Sequence, residues 1–558
     1  MNLANPNVAL RLASVAERHS SQIAIATPLG SPRQGTRREY RTTSFGELES
    51  RSNRIAAGFQ AMGIGPGKRI ALLVRFGEDF ICLVFALLKT GATLILIDPG
   101  MGRKNLLQCL SEANPDGFVA IPQAHLVRLV LRRRFPNAKL NVLVGNDFGL
   151  LGIRNLKELE RTQAKLIPPK LQIDSDAAII YTTGSTGPPK GVLYTHATFN
   201  HQIDLLVQQY GIQPGGKDLS GFPLFGLFNA VMGTTTIIPD MDPTRPADVD
   251  PPRLLDAMEQ WQINQAFGSP ALWTKVGRYC AEHGRGMPTL RRVLSAGAPV
   301  SPNVLEWVRK AAHPECEVFT PYGATESLPI ASIESREVLE ETAALWKLGK
   351  GTCVGKRFPS MEWKVIRITD GPIATLQETE PLAVGQIGEL MVRGPVVTRR
   401  YVTRTDQNAL HKVQDGDSIW HRMGDVGYLD EQDRFWFCGR KSHRVETEQG
   451  VLFTEPCEAI LNTHPAIHRS ALVGVGTPGH QTPVILVEPW PQTSLEKDTL
   501  IQQLRELALS NAITASIQHF FIYPSRLPTD IRHNSKIFRE KLRPWAQQQL
   551  ESQTQRPQ

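Results

Sequence analysis

The apolar run Ala177–Thr182, AAIIYT, leads straight into the loop TGSTGPPKG, and no other stretch constrains the chain as tightly. The run reads as a strand. Between Thr182 and Gly191 lie three glycines, the hydroxyl residues Thr182, Thr183, Ser185 and Thr186, and one lysine, Lys190. Backbone N–H groups free of side chains, extra hydroxyl donors and a cation are what a polyphosphate needs from a loop. This is not the Walker pattern, because Gly184 and Gly187 stand too close together and no Gly-Lys-Ser/Thr comes after them. The plain alternative is an ordinary Gly/Thr turn.

Strand and helix patterns alternate on either side of this junction. Ser44–Met62 has apolar residues at helical spacing after a Ser start, and 69–74 (RIALLV) comes next as a strand. Glu78–Lys89 reads as a buried helix ended by Gly91, and Thr93–Ile97 as a strand stopped by Asp98-Pro99-Gly100. This order predicts an α/β fold: a large N-terminal domain of layered sheets, with several subdomains, and then a small mobile α+β domain. The boundary falls at Lys441–Ser442, giving 1–440 and 441–558. Gly385–Tyr401 looks strand-poor and turn-rich, and the polar tail ESQTQRPQ looks disordered. There is no internal repeat.

At about 100–200 residues per domain, 558 residues exceed one module. With 41% hydrophobic and 21% charged residues the composition is that of a globular enzyme. Seven scattered cysteines, without a C-x-x-C pair, signal neither a disulfide framework nor a zinc site and fit a reducing cytoplasm. The N-terminus lacks the unbroken apolar core of a secretion signal, and the most apolar run, Phe80–Leu88, stops at Lys89, too short to span a bilayer. The excess of 62 basic over 54 acidic residues gives a charge of +8. Its densest cluster, Arg128 and Arg132–Arg134 in HLVRLVLRRRF, predicts an amphipathic helix whose apolar stripe packs on the domain; docking onto other pathway proteins, in a peripheral multi-enzyme assembly, or onto a membrane surface is the alternative. No basic stretch is interleaved with stacking aromatics, so nucleic acid is not an expected partner.

At the level of motifs the chain resembles the AMP-forming adenylate-forming enzymes, which include acyl-CoA synthetases, luciferases and peptide-synthetase adenylation domains. Besides the glycine loop, the motifs PYGATES (321–327), HRMGDVGY, CGRK and NSKIFREKLR stand in the family's order over roughly residues 8 to 545. The resemblance implies ATP and Mg²⁺. Gly184 and Gly187 would sit with the loop hydroxyls around the phosphates. Gly297, Ala298, Pro299 and Gly323 would form a slot for adenine, with Tyr322 stacked on the ring. Asp425 would hold the ribose hydroxyls with Arg440 beside the sugar, and Glu326 would hold the metal, helped by the hydroxyl of Thr182 or Thr325. Lys536 would arrive from the small domain, past a hinge at Lys441 and Ser442, to neutralise charge as a carboxylate attacks the α-phosphate.

Departures from the family pattern bear on the step after adenylation. Gly226 stands where acyl-CoA and aryl-CoA ligases commonly carry a histidine, so Phe225, Gly226, Phe228 and Gly268 suggest an apolar acyl pocket. Asn534-Ser535 replaces the usual Ser-Gly before Lys536, and Asp530, Arg532 and His533 add ionisable groups there. The segments 239–247, 266–273, 351–355, HRMGDVGY and DIRHNSKI are similar to those of the β-lactone synthetase branch of bacterial olefin biosynthesis. That similarity implies a long-chain 2-alkyl-3-hydroxy acid whose own hydroxyl attacks the adenylate. His533 or Asp530 would then assist deprotonation, or would pair within the loop to fix it. A fatty acyl-CoA ligase and a non-catalytic lipid- or adenylate-binding scaffold are the alternatives.

Overall fold

A computed structural model of the chain describes residues 5–30, 37–146, 149, 152–182, 188–530 and 536–554. Two sheets frame the large domain among these residues. The seven-stranded sheet contains β1 (Arg69–Leu73), then helix α1 (Glu78–Thr90), β2 (Thr93–Leu96), β3 (Gly117–Ala120), helix α2 (Pro122–Val130), β4 (Asp176–Tyr181) and β5 (Gly191–Thr195). Space orders its strands β3-β1-β2-β4-β5, with Val142–Leu143 and Arg154–Asn155 beyond β3. All pairings are parallel except β4 with β5, which form an antiparallel hairpin. Helix α1 is buried from Phe80 to Thr90, as its composition predicts, and even Lys89 is inside. That ammonium is tolerated because Glu49 Oε2, Ser52 Oγ and Asn53 Oδ1 each accept from it at 2.7 Å.

A second, 14-stranded sheet starts with Ile23–Pro28 and Tyr40–Ser44 and takes its other strands from the chain after helix α3 (His196–Tyr210). It includes β6 (Lys217–Ser220), then helix α4 (Pro223–Met232), β7 (Gln265–Gly268), β8 (Arg292–Ser295), β9 (Glu317–Ala324), β10 (Ser327–Glu334), β11 (Ser418–Leu429) and β12 (Arg434–Arg440). Strands β6 to β9 are parallel, and from β10 onward the pairing is antiparallel. The largest apolar core joins α1, α3 and α4 between the two sheets. Gly388–Arg393, inside the stretch expected to be strand-poor, is a strand paired on both sides. Its partners, rather than its propensity, make it one.

The small C-terminal α+β domain has a three-stranded sheet (Ile467–Val475, Thr482–Pro489, His519–Ile522) between helices. Helix α5 (Thr454–Leu461) packs against β12, where a side chain on Gly439 would strike Thr454 Oγ1. The final helix, α6 (Arg539–Thr554), runs into the tail that composition marked as disordered, so Glu551–Thr554 are helical. All seven cysteines are buried and unbridged. No helix among the described residues is long and apolar enough to cross a membrane.

Helix α2 departs from its expected packing. It buries only His125, while Leu126, Val127, Leu129 and Val130 are 53, 46, 40 and 81% exposed. The apolar stripe faces out.

Candidate active site

The glycine-rich loop is the turn of the β4–β5 hairpin. Thr182 and Lys190 clasp its two ends: Thr182 N–H donates to the Lys190 carbonyl at 3.1 Å, and Lys190 N–H donates to Thr182 Oγ1 at 3.2 Å. Thr183, Gly184, Ser185, Thr186 and Gly187 lie outside the described residues. A strand, not a helix, comes after the loop, so no helix dipole begins at its end.

Lys190 reaches into a buried network. Its Nζ lies 3.9 Å from Glu326 Oε1, 3.3 Å from His411 Nε2 and 4.8 Å from the centre of the Tyr401 ring. The Tyr401 hydroxyl donates to Glu326 Oε1 at 2.7 Å, and both the N–H and the hydroxyl of Thr398 donate to the Glu326 carbonyl at 2.9 Å. Lys412 closes the network from below, its Nζ 2.5 Å from the Thr398 carbonyl. Burial works to raise the Glu326 pKa, but Lys190, the Tyr401 hydroxyl and Lys412 outweigh it and hold the carboxyl below its ordinary range. Burial lowers the Lys412 ammonium to about 7 and His411 to about 4. Glu326 therefore stays anionic among cations, a suitable hard ligand for a metal that also takes phosphate oxygens. Tyr401, His411 and Lys412 carry no local motif, and the sequence alone does not point to them. Tyr401 comes in because residues 400–403 run beside β5, with Val402 N–H donating to the Gly191 carbonyl.

A second cluster lies at the register pair Asp425↔Arg440. Arg440 Nη1 donates to Asp425 Oδ1 at 2.6 Å and the Tyr322 hydroxyl donates to Oδ2 at 2.5 Å. The Asp425 charge raises the Arg440 pKa, and burial with that same charge keeps Tyr322 protonated. Tyr322 is thus pinned at its hydroxyl, which fixes the direction of its long axis. Gly297, Ala298 and Pro299 come after β8, whose parallel neighbour β9 delivers Tyr322 and Gly323, so the proposed adenine slot lies at the carboxyl ends of adjacent strands. A Cβ on Gly323 would come within 2.7 Å of the Ser327 carbonyl, which requires glycine there. Thr325 presents its carbonyl to the Tyr194 hydroxyl at 2.5 Å.

Beside these groups lies an apolar cavity of about 140 Å³. Ala296 and Pro321 line it next to the 297–299 and 322–323 segments, α1 residues Val84, Phe85 and Leu88 line another part, and Phe225, Phe228 and Phe267 form an aromatic wall. Phe225 stacks on Phe267 at 4.2 Å between ring centres. Gly226 and Gly268, each next to a lining phenylalanine, are not among the lining residues. A Cβ on Gly226 would meet Phe76 Cζ at 3.1 Å and one on Gly268 would meet Trp273 Nε1 at 2.8 Å.

At the expected hinge, Lys441 Nζ donates to the Thr369 carbonyl at 2.9 Å and to Glu389 Oε2 at 3.1 Å, while Ser442 is exposed. Lys536 stands at the end of a short antiparallel clasp. Asp530 N–H donates to the Lys536 carbonyl at 3.1 Å, and Lys536 N–H donates to Asp530 Oδ1 at 2.9 Å. Ile531–Ser535, with His533, lie outside the described residues.

The model of the family described as "AMP-binding enzyme" matches residues 12–402. The chain belongs to that family. It is 46% identical over 553 residues to the olefin beta-lactone synthetase of Stenotrophomonas maltophilia (strain K279a), covering 98% of this chain and 99% of that protein. It is 44% identical over 551 residues to the protein of the same name from Xanthomonas campestris pv. campestris, covering 97% and 98%. Its fold is shared with the amide bond synthetase McbA from Marinactinospora thermotolerans (TM-score 0.77, 20% identity, 96% of this chain and 99% of that one). ATP-bound MatB from Rhodopseudomonas palustris has the same TM-score, 0.77, at 20% identity over 97% and 99%.

Proposed function

We propose that this protein is a β-lactone synthetase: it joins the carboxylate of a long-chain 2-alkyl-3-hydroxyalkanoic acid to the AMP portion of ATP, and the acid's own β-hydroxyl then displaces AMP. The near full-length similarity to two olefin beta-lactone synthetases carries the reading. The apolar cavity opening beside the nucleotide cluster supports it, because alkyl chains gain from burial there. In the first step a carboxylate oxygen attacks the α-phosphorus and diphosphate leaves, with Lys190 and the loop around the phosphates and Lys536 meeting the developing charge. Glu326, with Thr182, would hold Mg²⁺, which screens the phosphate oxygens from the incoming carboxylate. In the second step the hydroxyl oxygen bonds to the acyl carbon, the C–O bond to AMP breaks, and the hydroxyl proton passes to a base, for which His533 and Asp530 are the candidates. The nucleophile is tethered, so no second substrate has to be recruited.

Incubation with ATP, Mg²⁺ and a 2-alkyl-3-hydroxy acid tests this. Lactone and AMP formed without CoA are expected; a CoA-dependent thioester from a simple fatty acid would make the protein an acyl-CoA ligase, and tight AMP binding without turnover would make it a scaffold. Lactone closure from preformed adenylate that is unchanged in His533→Ala would remove His533 as the base.

The hinge of this reading is Lys441–Ser442, with Lys441 tied to the large domain and rotation beginning after it. Helix α2 docks on an anionic lipid surface: four exposed aliphatic side chains are flanked by Arg132, Arg133 and Arg134, which are exposed and make no ion pair among the described residues, and a long-chain acid concentrates in such a surface. Co-flotation with phosphatidylglycerol vesicles that Val130→Asp abolishes is expected; failure to float with them at low salt overturns the assignment.

A further inference from the structure

A lysine ammonium rides on a flexible four-carbon stem, so its direction is set by what it touches. Lys190 Nζ stands 3.9 Å from Glu326 Oε1, beyond hydrogen-bond length, and 3.3 Å from His411 Nε2. A charge-assisted N–H···O contact ordinarily closes to about 2.7–2.9 Å. Here Glu326 Oε1 already accepts from the Tyr401 hydroxyl at 2.7 Å, and the imidazole takes the ammonium instead.

The ring can do this in only one form. His411 Nδ1 lies 3.3 Å from the Arg422 carbonyl, and a carbonyl oxygen only accepts, so Nδ1 carries the proton. An ammonium only donates, so Nε2 offers its lone pair to Lys190. Both neighbours require the same neutral tautomer, and burial together with the Lys190 charge keeps the ring neutral by lowering its pKa to about 4. Strand β11 fixes the imidazole from behind. His421 Nδ1 donates to the His411 carbonyl at 3.1 Å. Arg422, whose carbonyl takes the His411 proton, is fully buried, with its guanidinium bonded to Glu389 Oε2 and to the Thr369 and Gly371 carbonyls.

We infer that His411 is a positioning residue for Lys190: its Nε2 lone pair holds the ammonium off Glu326 and keeps it available to the phosphates of ATP. The inference deepens the reading of Lys190 as the cation at the phosphates and rests on it. Without an acceptor at 411 the ammonium closes onto the Glu326 carboxylate, and ATP must then separate two paired charges before it can use either.

The test reads diphosphate release by the full-length protein at varied ATP. His411→Phe keeps a ring without an acceptor. His411→Asn keeps a donor for the Arg422 carbonyl but stops short of Lys190, so it loses the acceptor while preserving the contact that seats the residue. Both are expected to raise KM for ATP about tenfold with kcat nearly unchanged. His411→Gln, whose amide oxygen reaches the place of Nε2, should recover most of that loss. Lys190→Ala should raise the same KM further, and adding His411→Asn to it should cost nothing more. A His411→Asn loss that is absent, that falls on kcat instead of KM, or that persists in full in the Lys190→Ala background overturns the inference for His411 alone. A parental KM in Lys190→Ala overturns the reading of Lys190, and the role of His411 with it.

Discussion

The two places to which the proposed function assigns charge are built differently. In the large domain Glu326, Lys190, Tyr401 and Lys412 are interlocked by side-chain contacts, and Asp425, Arg440 and Tyr322 form a second such set. In the small domain, Lys536 is exposed, and its backbone is paired with Asp530. The first region is held by charges and hydroxyls fixed against one another, the kind of pre-organisation that favours charge stabilisation. The second is a clasp at the end of a loop, suited to a group that is delivered for one step and then withdrawn.

Removing the delivered charge should have the largest effect. Lys536→Ala is expected to cut diphosphate release by roughly a hundred- to a thousandfold, while lactone closure from preformed adenylate falls far less. Equal losses in both steps would mean that Lys536 belongs with the fixed machinery. Within the fixed network, Tyr401→Phe deletes one charge-assisted hydrogen bond, about 1.5–3 kcal/mol, and should lower adenylation about tenfold. That hydroxyl also helps to hold the Glu326 pKa down, so the acid limb of the rate profile should move to higher pH. An unmoved limb would detach Glu326 from the rate.

The smallest predicted effect lies between the domains. Glu455 Oε2 accepts from Thr352 Oγ1 at 3.1 Å, and burial together with Glu458 raises the Glu455 pKa from 4.5 to about 7. A carboxyl whose folded-state pKa is raised contributes stability below its unfolded value and loses it as pH rises through the folded value. Glu455→Gln should therefore gain on the parent in melting temperature by a few degrees as pH rises from about 4.5 through 7. A pH-independent difference would contradict the raised pKa of that carboxyl.

The sequence disclosed the site wherever its chemistry is local. The β4–β5 turn, Asp425 with Arg440, and Tyr322 with Glu326 sit in short motifs whose residue types state their use. Tyr401 and Lys412 come from separate segments, and only the crossing of 400–403 with β5 and the Lys412 hydrogen bond to the Thr398 carbonyl bring them in. Gly226 and Gly268 lie in the right segments, but Phe76 and Trp273 occupy the space beside them. Helix α2 has the expected amphipathic pattern with the opposite face outward, a choice that periodicity alone does not make.

Oxygen tracing tests the central claim directly. A 2-alkyl-3-hydroxy acid labelled with ¹⁸O in its carboxylate, turned over with ATP, Mg²⁺ and no CoA, should pass one labelled oxygen to AMP, and label placed in the β-hydroxyl should stay in the lactone ring. Hydroxyl label appearing in AMP would show that the hydroxyl, not the carboxylate, is activated, and would contradict the account.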